Sequence, residues 1–280
     1  MATESRTHEQ SSRWNGRSGQ VWVQSQGLLD QVMKPLEELL VQPVIAGSGL
    51  RILDVGCGAG ATTFAAARRV GAPGSCVGVD ISEPMIDAAR ERAADAGLPV
   101  SFLLADAQTY DFEPARFDLI MSRFGVMFFP DPVAAFTNLR AAARPGAALR
   151  LLVWRGPQDN PFMTTAERAA APLLPDLPAR VPDAPGQFGF ADDQRVHGIL
   201  TESGWSDIAI RPADVECAMP EDALIHYFTH FGPVGLALPE VDESTRARVI
   251  EVVRAAFEPF VRGDQVRYTA ACWVIDAHAA

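Results

Sequence analysis

Hydrophobic residues in the first half of the chain alternate between short apolar runs and longer stretches with helical spacing. The short runs predict strands at 51–55, 76–80, 100–104, 117–121 and 147–154. The longer stretches predict helices at 61–70, 83–96 and 132–143. Strands and helices that alternate in this way build a parallel sheet covered by helices on both faces. Ligands of such α/β sheets bind beyond the carboxyl ends of the strands, so we look for functional residues there.

The flanking segments predict an N-terminal arm and two insertions. Residues 28–40 carry apolar side chains at helical spacing, and residues 155–190 are rich in proline around one short helical pattern. Further on, the pattern predicts helices at 192–203, 221–231 and 243–261 and strands at 208–215 and 266–275. The predicted units are an arm (1–47), a core (48–154), a first cap insertion (155–190), the continued core (191–217), a second cap insertion (218–263) and a last strand with the tail (264–280).

A glycine-rich turn after the first strand is the strongest candidate for a binding site. Gly56, Gly58 and Gly60 permit positive φ angles and let a ligand approach where a Cβ would collide. The helix that begins near Ala61 directs its N-terminal N–H groups at the same place, and Asp80 ends the second strand. An acid at that position can accept hydrogen bonds from two ribose hydroxyls. The pattern therefore predicts a cofactor that contains a ribose.

Two cofactor classes fit this turn. The spacing Gly56-x-Gly58-x-x-Ala61 satisfies a permissive dinucleotide fingerprint, which leaves a nicotinamide oxidoreductase open. Asp54, however, stands two residues before Gly56, where its carboxylate would face the ligand. A carboxylate there repels a pyrophosphate and attracts an ammonium and a sulfonium. The residues thus favour a sulfonium cofactor.

The pattern Asp-x-Gly-x-Gly-x-Gly over residues 54–60 resembles the first motif of the class I S-adenosylmethionine-dependent methyltransferases. The segments 76–82, 102–107, 117–129 and 139–154 are similar to the segments that follow it in this family, in the same order. The resemblance is to the small-molecule branch that contains ubiquinone and menaquinone methyltransferases. It implies a doubly wound, Rossmann-like sheet of seven strands, mostly parallel with an antiparallel last strand, and S-adenosyl-L-methionine as the cofactor.

The resemblance also implies which residues hold the cofactor. Asp80 would bind the ribose, Ile81 and Met85 would pack on the adenine, and Asp106 and Ala107 would bind its edge. The full predicted cofactor set is Asp54, Gly56, Cys57, Gly58, Gly60, Asp80, Ile81, Met85, Asp106, Ala107, Ser122, Trp22 and Arg17. The last two belong to the arm, which in this family often folds over the cofactor. Tryptophans that only anchor the arm to the core are an equal alternative.

The acceptor side is predicted from the loop after the fourth strand and from the second cap insertion. Arg123, Phe124, Phe228 and Phe231 are the predicted substrate-pocket residues. His226 and His230 stand one helical turn apart and are the candidates for a catalytic base, with solvent-exposed histidines as the alternative. They lack an obvious third ligand for a metal.

The same loop narrows the reaction type. It contains neither an Asn/Asp-Pro-Pro-aromatic motif nor an Asp between Met121 and Pro130, as amide or nucleobase methyltransferases and magnesium-dependent catechol methyltransferases would have. We therefore predict a metal-independent methyltransferase for a small, apolar or aromatic acceptor, methylated on oxygen, nitrogen or carbon. A quinone-pathway C-methyltransferase, a nicotinamide-dependent oxidoreductase and a protein that binds the cofactor without transferring methyl stay as alternatives.

Composition restricts the partners. The net charge of -11 argues against nucleic acid, which binds through clustered Lys and Arg. No apolar run reaches the roughly 18 residues of a membrane span, and the polar opening 1–13 lacks the apolar centre of a signal peptide. We therefore expect a cytoplasmic, bacterial protein without membrane contact, either a monomer or a homodimer. Four cysteines without metal-site spacing predict free thiols, and Lys34, the only lysine, lies far from the turn.

Overall fold

The computed structural model describes the backbone of residues 2–280 and the side chains of residues 8–280. Residue 1 and the side chains of 2–7, which belong to the predicted arm and its polar opening, lie outside this description. The strands are β1 (Arg51–Val55), β2 (Ser75–Asp80), β3 (Val100–Leu104), β4 (Phe117–Arg123), β5 (Ala143–Trp154), β6 (Trp205–Pro220), β7 (Val261–Arg262) and β8 (Gln265–Ala279). Twelve α-helices surround them in the part of the chain that the structure describes.

The strands form one sheet in the order β3-β2-β1-β4-β5-β8-β6, with the two-residue β7 paired to β8. Pairs among β1 to β5 are parallel, and β8 runs antiparallel to both β5 and β6. The predicted fold class is therefore confirmed, with β7 as an eighth, minor strand that the sequence did not predict. The apolar core lies on both faces of the central strands and includes Ile52, Leu53 and Ile120, none of which is exposed to solvent.

The helices of the core follow the predicted alternation closely. They are α5 (Ala61–Val70), α6 (Glu83–Ala94), α7 (Pro132–Ala142) and α9 (Asp193–Glu202). Asp131 and Asp192 cap α7 and α9 by accepting backbone N–H bonds in the first turn of each helix. Glycine at residue 71, with a φ of +62°, follows α5 and lets the chain turn back into β2. The cap at Asp131 thus fixes where the loop that follows β4 at the carboxyl edge ends.

The N-terminal arm consists of four short helices instead of one continuous helix. They are α1 (Ala2–Asn15), α2 (Arg17–Gln24), α3 (Gln26–Val32) and α4 (Lys34–Val41). The helical pattern predicted at 28–40 divides at Met33 because Pro35 lies in the first turn of α4 and has no N–H with which to continue α3. Val32, Leu36 and Leu40 nevertheless share one face and are buried in the core.

The two segments that interrupt the core carry α8 (Pro161–Ala170), α10 (Leu224–His230), α11 (Gly232–Ala237) and α12 (Glu243–Ala256). Strands β6 and β8 are longer than predicted, and their pairing extends from Trp205 with Ala279 to Pro220 with Gln265. The extension was missed because Asp214, Glu216 and Pro220 interrupt the apolar pattern at the end of β6. It leads directly into the second segment. None of the helices in residues 2–280 combines the length and hydropathy that a membrane crossing requires.

Candidate functional site

A cavity of about 330 Å³ lies at the carboxyl ends of the central strands. One part, which we call the glycine half, is lined by Gly56, Cys57, Gly58, Asp80, Ile81, Met85, Asp106 and Ala107. The other part, which we call the aromatic half, is lined by Phe124, Trp154, Phe162, Tyr227, Phe228, Phe231 and Tyr268. The arm adds Trp14 and Trp22 to the wall of this cavity. The sheet therefore has its cavity at the edge where parallel α/β sheets bind ligands.

The glycine-rich turn is held between two neighbouring segments. Its N–H groups at Gly56 and Cys57 both donate to the carbonyl of Val79, at 2.8 and 3.1 Å. Gly56 has a φ of +68°, and a Cβ on it would lie only 2.6 Å from the Cα of Gly125. Two backbones meet there with no room for a side chain, so glycine is required at this position for geometric reasons.

Asp80 lines the glycine half and is fixed by two backbone groups. One carboxylate oxygen accepts the N–H of Gly58 at 2.8 Å, and the other accepts the N–H of Ser82 at 2.9 Å. Burial raises the pKa of Asp80, while these N–H bonds oppose the rise. A carboxylate has about four lone-pair sites. The two oxygens therefore keep acceptor capacity for a diol in the cavity.

Asp54 lies behind the turn, and the prediction that it faces the ligand needs correction. Its side chain is fully buried and does not line the cavity, whereas Thr62 does. Thr62 and Thr63 draw the carboxylate inward, because both hydroxyls donate to the same oxygen at 2.6 and 2.7 Å. Burial raises the pKa of Asp54 to about 6, against the opposing effects of the threonine bonds and the charge of Arg123. Its other oxygen has no hydrogen-bond partner among the described residues, and a cation nearby would be stabilised.

Three further residues of the predicted cofactor set do not line the cavity. Gly60 is buried against Phe64 and Phe102, where a Cβ would approach their rings to 2.8–2.9 Å. Ser122 is buried and donates to the carbonyl of Val55 at 2.7 Å, so it supports the turn from below. Arg17 is exposed on the surface of α2. Cys57 does line the cavity, but burial raises its pKa far above that of an ordinary thiol and keeps it neutral.

The arm folds over the loop that follows Asp80. Ser82 donates its hydroxyl to the carbonyl of Trp14 at 2.7 Å, and the side-chain amide of Asn15 donates to the carbonyl of Ile81 at 3.0 Å. The ring of Trp14 meets Phe128 edge to face at 5.2 Å. Trp22 contacts Phe231 in the same way at 5.9 Å. The arm thus connects the glycine half with the second inserted segment.

Stacked rings from distant parts of the chain build the aromatic half. Phe124 stacks on Trp154 at 4.3 Å, and Phe162 stacks on Tyr268 at 4.0 Å. Phe124 has a φ of +64°, a left-handed conformation that costs a bulky residue about 1–2 kcal/mol. Backbone strain of this kind is concentrated at functional sites. Burial raises the pKa of both Tyr227 and Tyr268, so their hydroxyls stay protonated.

His226 and His230 are not brought into this cavity, which corrects their predicted position. The His226 ring lies 2.8 Å from the hydroxyl of Ser25 and stacks on the His230 ring at 4.1 Å. His230 donates from Nδ1 to the carbonyl of His226 at 3.0 Å. The face of α10 that enters the cavity carries Tyr227 and Phe228 instead, and His226 connects α10 to the arm. No trio of His, Cys, Asp or Glu among the described side chains is placed to hold a metal ion.

The sequence did not identify Trp154, Phe162, Tyr227 and Tyr268 as cavity residues. Of these four, only Trp154 could have been predicted from the sequence, because it ends a strand at the ligand-binding edge of the sheet. The other three lie in α8, α10 and β8, and tertiary packing alone brings them together. The predicted pocket residues Arg123, Phe124, Phe228 and Phe231 all line the cavity.

Comparison with known proteins agrees with this geometry. A family model described as a methyltransferase domain matches residues 52–146, which hold the glycine half. The chain therefore contains a methyltransferase domain that is similar to the class I S-adenosylmethionine-dependent methyltransferases. The cofactor of this family is S-adenosylmethionine, and the fixed carboxylate of Asp80 and the unpartnered, buried oxygen of Asp54 suit its ribose and its positive charges.

Several relatives match part of the chain. Aklanonic acid methyltransferase DauC of Streptomyces sp. (strain C5) is 37% identical over 46% of the chain and 61% of its own length. Nocamycin O-methyltransferase of Saccharothrix syringae is 36% identical over 51% of the chain and 50% of its own length. Demethylmenaquinone methyltransferase of Staphylococcus saprophyticus subsp. saprophyticus is 26% identical over 59% of the chain and 73% of its own length. The chain thus spans about half to three fifths of the first two relatives.

The fold itself extends further than these matches. The crystal structure of an S-adenosylmethionine-dependent methyltransferase from Aquifex aeolicus superposes with a TM-score of 0.52 at 17% identity, over 90% of this chain and 92% of that one. At this identity, the likeness concerns the fold alone. The acceptor side must therefore be inferred from this chain's own residues.

Proposed function

We propose that the chain transfers a methyl group from S-adenosylmethionine to a small, apolar or aromatic organic acceptor without a metal ion. The observation that carries the proposal is the single cavity in which the family's glycine turn and Asp80 adjoin a wall of stacked aromatic rings. When bound, the cofactor supplies a methyl group on a sulfonium, which a nucleophile displaces in line. The protein then contributes alignment and exclusion of water.

Within this proposal, the residues have separate tasks. Asp80, Ile81, Met85, Asp106 and Ala107 hold the nucleoside part of the cofactor. The two segments predicted as caps, 155–190 and 218–263, enclose the acceptor with Phe162, Phe228 and Phe231. The arm covers the cofactor through Trp14 and Trp22, which line the cavity.

The relatives' names support oxygen as the methylated atom. Nocamycin O-methyltransferase is named for this reaction, and DauC is named for an acid. Demethylmenaquinone methyltransferase supports the alternative of carbon methylation in a quinone pathway, at lower identity. A nicotinamide-dependent oxidoreductase is the weaker candidate, because the ionised Asp54 behind the turn disfavours a pyrophosphate.

A transfer assay tests the proposal. The full chain is incubated with S-adenosylmethionine carrying a labelled methyl group and with a panel of aromatic acids, phenols and quinols. We expect the label to appear in at least one class of acceptor. An equal amount of S-adenosylhomocysteine should form at the same time. Binding of the cofactor with no transfer to any member would favour a protein that only binds it.

A further inference from the structure

Arg123 places a positive charge in the aromatic half of the cavity. It is the last residue of β4, directly before the strained Phe124, and its partly buried side chain lines the cavity. Its Nη1 donates one long hydrogen bond, 3.4 Å, to the carbonyl of Met33. A guanidinium has five N–H donors. Within the part of the chain described, its other donors have no protein acceptor.

The carboxylates near Arg123 are engaged elsewhere. Glu37 pairs with Lys34 at 2.5 Å, and Asp30 pairs with Arg92 at 2.9 Å. Asp54 accepts both threonine hydroxyls on one oxygen, and its other oxygen makes no hydrogen bond or ion pair with Arg123. These three acids act on the charge of Arg123 from a distance, and no described carboxylate lies within the 4.0 Å of an ion pair with it. Burial lowers the pKa of Arg123, but a guanidinium stays protonated in proteins.

A cation that is partly removed from water and has no ionic partner is costly unless a ligand neutralises it. The cavity around Arg123 is otherwise formed by aromatic and aliphatic side chains such as Phe124, Trp154 and Met33. Glu167 also lines this half, but Arg180 binds both of its oxygens, at 3.0 and 2.5 Å. Arg13 also lines the cavity, but it belongs to the arm and its guanidinium lies over the rings of Trp14 and Phe128. In the aromatic half, the charge that is left for a ligand is therefore positive and is located at Arg123.

We propose that Arg123 binds a carboxylate on the methyl acceptor, so that the enzyme selects aromatic or apolar carboxylic acids. This inference rests on the proposed function and narrows its acceptor class. Arginine suits the role because its planar fork matches the two oxygens of a carboxylate. The aromatic rings hold the apolar body of the acceptor, and the guanidinium orients its charged end.

An ionised acceptor also explains how the aromatic half works without an available base. His226 and His230 lie outside the cavity, and Glu167 is occupied by Arg180. A carboxylate oxygen that accepts the methyl group forms its C–O bond as the C–S bond breaks, and sulfur keeps the electron pair. No proton leaves the acceptor, so no side chain has to remove one.

Binding of a matched pair of probes tests this proposal. The anionic probe is 2-naphthoate, and its neutral counterpart of similar shape is 2-naphthamide. Titration calorimetry near neutral pH gives the dissociation constants of both probes for the full wild-type chain, for Arg123→Met and Arg123→Lys, and for the control Arg17→Met. The control removes an exposed arginine that does not line the cavity. A titration with S-adenosylhomocysteine on each sample reports the cofactor site separately.

The wild type and Arg17→Met are expected to bind the acid at least about tenfold more tightly than the amide. Arg123→Met should reduce this preference to within about twofold, and Arg123→Lys should keep part of it. A structural role of Arg123 alone would weaken both probes equally. If Arg123→Met does not fold, a partial loss of the preference for the acid in Arg123→Lys supports the proposal in its place.

Two results would overturn the proposal. One is an unchanged preference for the acid in the Arg123 variants, and the other is a wild type that does not bind the acid more tightly than the amide, including no binding of either. Loss of S-adenosylhomocysteine binding by the wild type would instead contradict the proposed function.

Discussion

The two halves of the cavity are built by different means. The glycine half is made by turns and helix starts within residues 56–107, and Asp80 is held there by two backbone N–H groups. The aromatic half is made of side chains that lie between residues 124 and 268 and belong to five different elements or their flanking loops. The residues of the glycine half lie close together in the sequence. The residues of the aromatic half are brought together only by folding.

Under the proposed function, this difference separates the part of the cavity that holds the cofactor from the part that selects the acceptor. A site made of backbone turns depends on a few glycines and an acid, and it tolerates little change. A site made of side chains can be altered one residue at a time without disturbing the turn, and function is commonly varied in this way on one fold. We therefore expect changes in the glycine half to affect folding and the cofactor, and changes in the aromatic half to affect the acceptor.

The largest effect is expected from Gly56→Ala, which should destabilise the fold by roughly 3 kcal/mol. The new Cβ would lie 2.6 Å from the Cα of Gly125 at a φ of +68°, so overpacking adds to the cost of the left-handed conformation. Gly146→Ala is the matched control, because Gly146 has a φ of +76° and open space around its Cβ position. Urea unfolding should show about 1 kcal/mol for the control. An equal loss of unfolding free energy in both variants would mean that the backbone moves to relieve the contact between the new Cβ and Gly125.

Asp54→Asn should stabilise the protein at neutral pH by about 2–3 kcal/mol, since a shift of one pKa unit corresponds to about 1.4 kcal/mol. The folded-state pKa of Asp54, about 6, is raised above its ordinary value of 3.8. Because this pKa is raised, protonated Asp54 contributes fully to the free energy of unfolding below pH 3.8, and this contribution is lost as the pH rises through 6. Unfolding free energies at pH values from about 4 to 8 should therefore diverge between the variant and the wild type as the pH rises. Parallel curves would show that Asp54 does not titrate in this range.

Asp80→Ala should weaken binding of S-adenosylmethionine by roughly 2 kcal/mol, which is within the range for hydrogen bonds to a charged group. The variant also removes the acceptors of the Gly58 and Ser82 N–H groups, so its thermal stability must be measured with its affinity. Asp87→Ala, an exposed acid on α6, serves as the control. A folded Asp80→Ala chain with wild-type affinity would refute the ribose assignment.

Phe231→Ala should lower kcat/KM for the acceptor about tenfold while the dissociation constant of the cofactor changes less than about twofold. Phe231 lines the aromatic half and contacts Trp22. Ile225→Ala is the control, because Ile225 is an exposed apolar residue on the same inserted segment. Steady-state kinetics and cofactor titrations on both variants make the comparison. Equal damage to cofactor binding would show that the two halves do not act separately.

His230→Ala is expected to have the smallest effect, with kcat/KM within about twofold of the wild type. His230 lies outside the cavity and bonds to the carbonyl of His226. A pH profile of kcat/KM measures the effect most sensitively. A tenfold loss of kcat/KM in His230→Ala would restore a role for this histidine as catalytic base.

The sequence predicted the sheet and most of the glycine half because both depend on short-range patterns. The strand alternation, the turn glycines and Asp80 can each be read within a few residues of one another. The same short-range reasoning placed Asp54 toward the ligand, and it could not see that Thr62 and Thr63 would draw the carboxylate inward. Helical spacing likewise put His226 and His230 on one face of α10, but only packing against Ser25 decides which face enters the cavity.

Titration calorimetry of the wild-type chain with S-adenosylhomocysteine and with NAD measures which cofactor the glycine half binds. We expect that S-adenosylhomocysteine binds at one site per chain, that Asp80→Ala weakens this binding, and that NAD gives no measurable heat. Binding of NAD without binding of S-adenosylhomocysteine would contradict the assignment of the cofactor, because it would make the glycine half a dinucleotide site.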